Sequence, residues 1–253
     1  MTYSAAFYSD RRNTALASAA EIVPWVLDRI KVKSVVDVGC GTGSWLTTFM
    51  ERGVTDVVGL DGPWVPISDL EVSPEKFVAV DFTRLDTLRL NRRFDLVVCL
   101  EVAEHLGPEH AAEFIDRLVA MGSCILFSAA VPRQGGVGHF NEQWPSYWIE
   151  IFHRHEFICF DSVRGAFWDN PSVAAWYPQN AFFFVSKDAT SKYSRLEAHA
   201  ENSLAGKSVI HPRLYQQKLE ELSDPRGYSL HAIAKILPYL LKQALRRKLG
   251  SRL

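Results

Sequence analysis

Apolar and polar positions follow two rhythms along this chain. Short apolar runs at Val35-Val36-Asp37-Val38, 56–60, 76–80, 94–100 and 123–128 alternate with stretches whose apolar residues recur every three or four positions. The first rhythm predicts strands covered on both faces. The second predicts amphipathic helices at 14–30, from 44 to about 52, and at 108–120. Leu16, Ala19, Ala20, Val23 and Leu27 form the inward stripe of the first helix, with Pro24 as a kink or restart. Strands alternating with helices predict an open parallel sheet joined by right-handed crossovers. Two later runs, 157–163 and 180–186, flank an aromatic loop at 167–177 and predict an antiparallel hairpin at the sheet edge. The expected fold is α/β: a doubly wound, mostly parallel seven-stranded sheet with that edge hairpin, plus N-terminal and C-terminal helices. Residues 1–187 are expected to form this domain and 188–253 a helical extension.

The first strand runs into Gly39-Cys40-Gly41-Thr42-Gly43 and then a helix from Ser44. Glycines at alternate positions let the backbone turn sharply and approach a ligand, because no Cβ intrudes. Free N–H groups at the helix start face the same way. The second strand ends at Asp61, the third leads to Asp81 and the fourth to Glu101. In an open parallel sheet these strand ends are where ligands sit. A dinucleotide fingerprint fits poorly, since Gly43 is followed by Ser44 where its last glycine would fall.

Asp37-Val38-Gly39-Cys40-Gly41-Thr42-Gly43 instead resembles motif I of class I S-adenosylmethionine-dependent methyltransferases, and the resemblance extends over about 32–128. It implies a Rossmann-like fold and S-adenosyl-L-methionine as cofactor. It further implies that Asp61 bonds the ribose hydroxyls, with Gly62 beside it. Asp81 would take the adenine amino group, with Phe82 against the ring. Asp37, Gly39, Cys40, Gly41 and Gly43 would face the methionine end, and Leu100 and Glu101 would line the pocket.

Glu101, Glu104 and His105 stand at i, i+3 and i+4, so one helical turn would place them on one face. Two carboxylates and an imidazole can ligate a divalent cation. The segment resembles the metal-binding stretch of ubiquinone-biosynthesis O-methyltransferases and of enzymes modifying the 2′-hydroxyl at small-RNA 3′ ends. Both groups complete the site with a later histidine, and His139 falls at that place. The resemblance leaves two readings open. Glu101, Glu104, His105 and His139 hold Mg²⁺ or another divalent cation, or His139 or His105, with Glu104, serves as a metal-free general base. Asn141, Glu142, Trp144, Tyr147 and Trp148 mix polar groups with aromatic planes, which suits a sugar-like acceptor. Trp144 and Trp148, at i and i+4, equally suit packing of a helix on the sheet.

Composition narrows the partners. Lys+Arg 28 against Asp+Glu 29 gives no basic field, so no nucleic acid is expected. Scattered cysteines, with Cys99 and Cys124 inside apolar runs, are expected to be core thiols of a reduced, cytoplasmic protein. Residues 1–10 lack a signal-peptide profile, and Tyr3, Phe7 and Tyr8 there would anchor the N-terminus or cover a pocket. From about 228, Lys235, Lys242, Arg246, Arg247, Lys248 and Arg252 interleave with leucines and isoleucines, broken at Pro238. That is a basic amphipathic helix suited to peripheral membrane or partner contact. A homodimer is a further expected possibility. The leading expectation is O-methylation of a small hydroxylated acceptor. Its rivals are N-methylation of an amino sugar or related amine, and a non-catalytic cofactor-binding partner protein.

Overall fold

The computed structural model describes residues 5–82, 84, 85, 88, 90–197, 209–223 and 229–250, with side chains from Arg12 onward except those of 197, 223, 231, 232 and 243–250. The expected anchor or lid of Tyr3, Phe7 and Tyr8 lies outside the described residues and side chains. Helix α1 (Ala5–Arg29) leads into β1 (Ser34–Val38), α2 (Ser44–Glu51), β2 (Asp56–Asp61), β3 (Phe77–Ala79) and β4 (Leu96–Leu100). Then follow α3 (Ala111–Met121), β5 (Cys124–Ser128), α4 (Pro145–Arg154), β6 (Phe157–Phe160), α5 (Ser162–Phe167), α6 (Trp176–Asn180) and β7 (Phe182–Ser186).

The sheet has seven strands in the order β3-β2-β1-β4-β5-β7-β6. β1, β2, β3, β4 and β5 pair in parallel, while β7 is antiparallel to both β5 and β6. The expected architecture is therefore present, and the reversal beside β1 opens the crevice where such sheets hold ligands.

Alternate side chains of each strand feed two cores. Val35, Leu96, Val98, Leu126 and Phe183 pack with Ile22, Val23 and Val26 of α1 and with Leu46 and Phe49 of α2. Val36, Val38, Val97, Ile125 and Phe127 pack with Phe114 and Leu118 of α3 and Phe152 of α4. Phe152 stacks on Phe184 at 3.8 Å, and Phe127 meets Phe152 edge-on at 5.3 Å.

Several expected boundaries move. α1 runs through Pro24 without a restart; the bond lost at the missing N–H is offset by complete burial of Val23 and Val26. β6 stops at Phe160 because Asp161 and Arg164 form a buried two-pronged ion pair at the start of α5. The aromatic loop holds the last residue of α5 and the start of α6. The chain forms two compact units, the first ending at His211 and the second starting at Pro212. A 3₁₀ segment (Lys187–Tyr193) and α7 (Ser194–Glu197) belong to the first unit, as Tyr193 and Leu196 are buried in its core. The second unit holds α8 (Pro212–Ser223) and α9 (Leu230–Gly250), and α9 continues across Pro238.

Candidate active site

The turn after β1 is built from left-handed backbone. Gly39, Gly41 and Gly43 have φ of 83°, 55° and 97°, values that disfavour a side chain. A Cβ on Gly39 would also lie 2.2 Å from Cγ2 of Val102. The Leu60 carbonyl accepts from the N–H groups of Gly39 and Cys40, and Asp61 Oδ2 accepts from the Gly41 N–H at 2.7 Å. Asp61 Oδ1 accepts from the Gly62 N–H at 2.6 Å. Asp61 thus braces the turn as well as facing the cleft.

A second brace escaped the sequence reading. Glu71 Oε1 accepts from Thr42 Oγ1 at 2.7 Å and Ser44 Oγ at 2.6 Å, and lies 3.2 Å from Arg12 Nε of α1. Nothing in the polar stretch around Glu71 marks it in sequence.

These elements enclose a cleft. Asp37, Gly39, Cys40, Gly41 and Asp61 line one part, with Trp64 and Phe82; Leu100, Glu101, Val102 and His105 line another. Arg12, Trp45, Trp176 and Tyr177 also line it, although sequence reasoning singled out none of these as site residues. Gly43 and Gly62 shape the turn without lining the cleft, and Asp81 does not line it either. β3 ends at Ala79, two residues before Asp81, so that Phe82 and not the carboxylate reaches the cleft wall.

Buried acids dominate the electrostatics. Burial, then the neighbouring Asp61, pushes the Asp37 carboxyl up to about 8, and its Oδ2 is buried with no hydrogen-bond partner among the described residues. Burial raises Asp61 against the lowering bonds from Gly62 and Gly41. Burial, followed by Asp37 and Asp61, raises the Cys40 thiol, which stays neutral. An unpartnered buried carboxylate oxygen is costly. In a cleft braced by glycine backbone, Asp37 fits the ammonium of an amino-acid ligand.

The acidic segment after β4 departs from its expected helical face. Glu101 has φ +56°, so the turn begins only at Ala103 and runs to His105. Glu101 is thereby separated from the other two. Its Oε2 accepts from Gln134 Nε2 at 2.7 Å and its Oε1 from Asn180 Nδ2 at 3.1 Å. Burial raises its carboxyl, while bonds from Asn180, Ser128 and Gln134 and the nearby His139 pull the other way. Glu101 is a cleft-wall carboxylate, and it drops out of the expected ligand set.

The remaining three do converge. Ligand atoms of Glu104, His105 and His139 lie within 4.8 Å of one another. The Glu104 carbonyl accepts from the N–H groups of Phe140 and Asn141, which ties the His139 loop to the 103–105 turn. His105 Nδ1 donates to the Gly138 carbonyl at 3.1 Å, and the two imidazoles meet edge-on at 4.8 Å. His139 Nδ1 donates to Glu142 Oε1 at 3.0 Å. In the neutral form of either ring, a hydrogen on Nδ1 makes Nε2 the acceptor-type nitrogen.

The expected acceptor residues are elsewhere engaged. Glu142 accepts from Arg133 N–H, Gly135 N–H and His139; burial draws its carboxyl upward, but these bonds outweigh it and hold it low. Asn141 is buried, and Trp148 is a core residue against Phe127. Tyr147 packs edge-on against Trp148, and Trp144 is the N-cap of α4. Asn141, Glu142, Trp144, Tyr147 and Trp148 do not line the cleft. The aromatic planes there belong to Trp45, Trp64, Phe82, Trp176 and Tyr177.

A sheet of this order, with a glycine turn after β1 and buried acids at the ends of β1 and β2, defines the class: a class I S-adenosylmethionine-dependent methyltransferase. Comparison with known proteins agrees. A family model described as "Methyltransferase domain" matches residues 8–166, and the chain belongs to that family. The ubiquinone biosynthesis O-methyltransferase of Pseudomonas fluorescens (strain SBW25) is 32% identical over 114 residues, 42% of this chain and 49% of that protein. Its counterpart in Pseudomonas putida strain KT2440 is 32% identical over the same length and coverage. The chain spans about half the length of these relatives. Streptomyces venezuelae DesVI is similar in fold, with a TM-score of 0.54 at 15% identity, covering 71% of this chain and 95% of that one.

Proposed function

We propose that this protein transfers a methyl group from S-adenosylmethionine to a hydroxyl oxygen of a small, sugar-like acceptor. The observation that carries the reading is the meeting of His105, on the cleft wall, with Glu104 and His139. Asp37, the glycine turn and Asp61 would hold the cofactor, through its ammonium and its ribose diol respectively. When bound, it would supply a sulfonium-linked methyl group, whose carbon bonds the acceptor oxygen as its bond to sulfur breaks and a neutral thioether leaves.

What the chain adds is orientation and a proton acceptor. His105 Nε2 takes the hydroxyl proton, its tautomer set by the bond to Gly138. His139, oriented by Glu142, keeps the proton-bearing His105 within a polar surround. Trp176 and Tyr177 offer flat apolar faces and Glu101 a carboxylate, a combination suited to a ring bearing hydroxyls. The O-methyltransferase relatives point to oxygen rather than nitrogen as the acceptor atom.

The same three residues favour a second version. Two imidazoles and one carboxylate, with His139 buttressed by Glu142, match the donor set and outer support of a divalent-cation site. Glu104, His105 and His139 would hold the ion, which would make a bound hydroxyl more acidic. Imidazole-rich donors suit ions such as Zn²⁺ or Fe²⁺ better than Mg²⁺.

One assay tests both versions. Transfer of labelled methyl is followed over sugar nucleotides, glycosides, quinol precursors and amino sugars, in excess chelator and with added divalent ions. Activity on hydroxylated acceptors that survives chelator supports the imidazole base and withdraws the cation. Loss on chelation, with recovery on one ion, supports the cation. Transfer confined to amines would overturn the oxygen assignment. Calorimetry showing no S-adenosylmethionine binding would overturn the reading altogether.

A further inference from the structure

Helix α9 lies in the second unit, and its surface is strongly patterned. Its 21 residues would extend about 31 Å at the usual helical rise. At about 100° per residue, Ile233, Ile236, Leu237, Leu240 and Leu241 fall within one arc of roughly 140°. Lys235 and Lys242 fall on the opposite side, close to one another around the helix. Within the unit formed by α8 and α9 this stripe is left uncovered. Here Ile233, Ile236, Leu237, Leu240 and Leu241 are 42%, 44%, 49%, 53% and 56% exposed.

Charge selects the occupant. Residues 229–253 contain Lys235, Lys242, Arg246, Arg247, Lys248 and Arg252 and no aspartate or glutamate. A second copy of this helix would meet the first with like charge. A nucleic acid would neutralise the cations but leave the apolar arc uncovered. An anionic lipid surface supplies both phosphates for the basic side and acyl chains for the apolar side. No described helix is long and apolar enough to cross a membrane. We infer that α9 lies in the plane of an anionic lipid surface, apolar arc down, and holds the enzyme there.

The full-length protein tests this by co-sedimentation with vesicles of phosphatidylcholine alone or mixed with phosphatidylglycerol. Expected is binding to the anionic vesicles only, weakening as salt is raised. Lys235→Glu with Lys242→Glu is expected to lower the partition coefficient at least about tenfold. Ile236→Asp with Leu240→Asp should lower it as much. S-adenosylmethionine binding measured by calorimetry checks that each variant is folded. Absence of binding to phosphatidylglycerol vesicles overturns the inference, as does equal binding by both folded variants. A concentration-dependent dimer in sedimentation velocity, abolished by Ile236→Asp with Leu240→Asp, would assign the face to a second copy and equally overturn it.

Discussion

His139 Nδ1 stands 3.0 Å from Oε1 of Glu142, three residues along the same loop. That carboxylate also accepts from the Arg133 and Gly135 N–H groups at 2.6 and 2.7 Å, so it is fixed before it meets the imidazole. One acid therefore sets the tautomer of His139 and closes the loop that carries it. Glu142 had been expected to touch the acceptor; its oxygens are instead committed to this loop.

Glu142→Gln should leave S-adenosylmethionine affinity unchanged and lower kcat by about 10- to 100-fold, the usual effect of removing an orienting partner. Steady-state kinetics beside calorimetry read the two quantities separately. A selective rise in acceptor KM with kcat intact would return Glu142 to acceptor binding. His139→Ala should likewise slow transfer while cofactor affinity holds.

The brace at the glycine turn makes a different prediction. Glu71 joins Thr42, Ser44 and Arg12 at one carboxylate oxygen, with its own side chain 7% exposed. Glu71→Ala removes charge-assisted bonds worth about 1.5–3 kcal/mol each where buried. The dissociation constant for S-adenosylmethionine should rise by at least about tenfold. Arg12→Ala should do less, because the Arg12 side chain is 53% exposed. Calorimetry on the two variants ranks them; the reverse order would deny Glu71 its bracing role.

These cases show what the sequence made legible. The glycine turn, the parallel strands and the acid at the end of β2 are local patterns, and each stands where the pattern placed it. Contacts made across the chain left no local trace. Glu71 meets Ser44 over 27 positions, and Asn180 meets Glu101 over 79. Glu101 misled because i, i+3, i+4 spacing presumes a helix from its first residue, and its φ of +56° breaks that premise. Trp148 stayed open between two readings for another reason. An aromatic at helical spacing reads the same whether it faces a ligand or a core, and Phe127 was the partner that decided it.

The buried pair that ends β6 predicts a stability effect. Arg164 and Asp161 side chains are 1% and 0% exposed and share two hydrogen bonds, with the guanidinium 4.6 Å above the Phe182 ring. Asp161→Ala leaves a buried charge uncompensated and should destabilise by about 3–5 kcal/mol. Replacing both together by apolar residues of similar size should cost far less. Denaturant unfolding of the single and double variants measures the difference, and equal losses would show that the pair is not coupled.

Asp37 predicts the pH dependence. Its carboxyl has a folded value of about 8 against an ordinary 3.8, raised by burial and then by Asp61. Between those values the folded ligand-free protein holds a proton that the unfolded chain has released. The stability contributed by the neutral carboxyl is whole below pH 4 and is lost as pH rises toward about 8. The melting temperature of the ligand-free protein should therefore fall over that window, and Asp37→Asn should remove this component of the slope. Cofactor binding should run the opposite way, because an ammonium pairs with the ionised form and binding must expel the proton below pH 8. Calorimetry at pH 6.5 in two buffers of different ionisation enthalpy should register that release in the wild type and not in Asp37→Asn. A wild-type slope that persists unchanged in Asp37→Asn would place the titrating group elsewhere and remove Asp37 from the cofactor's ammonium.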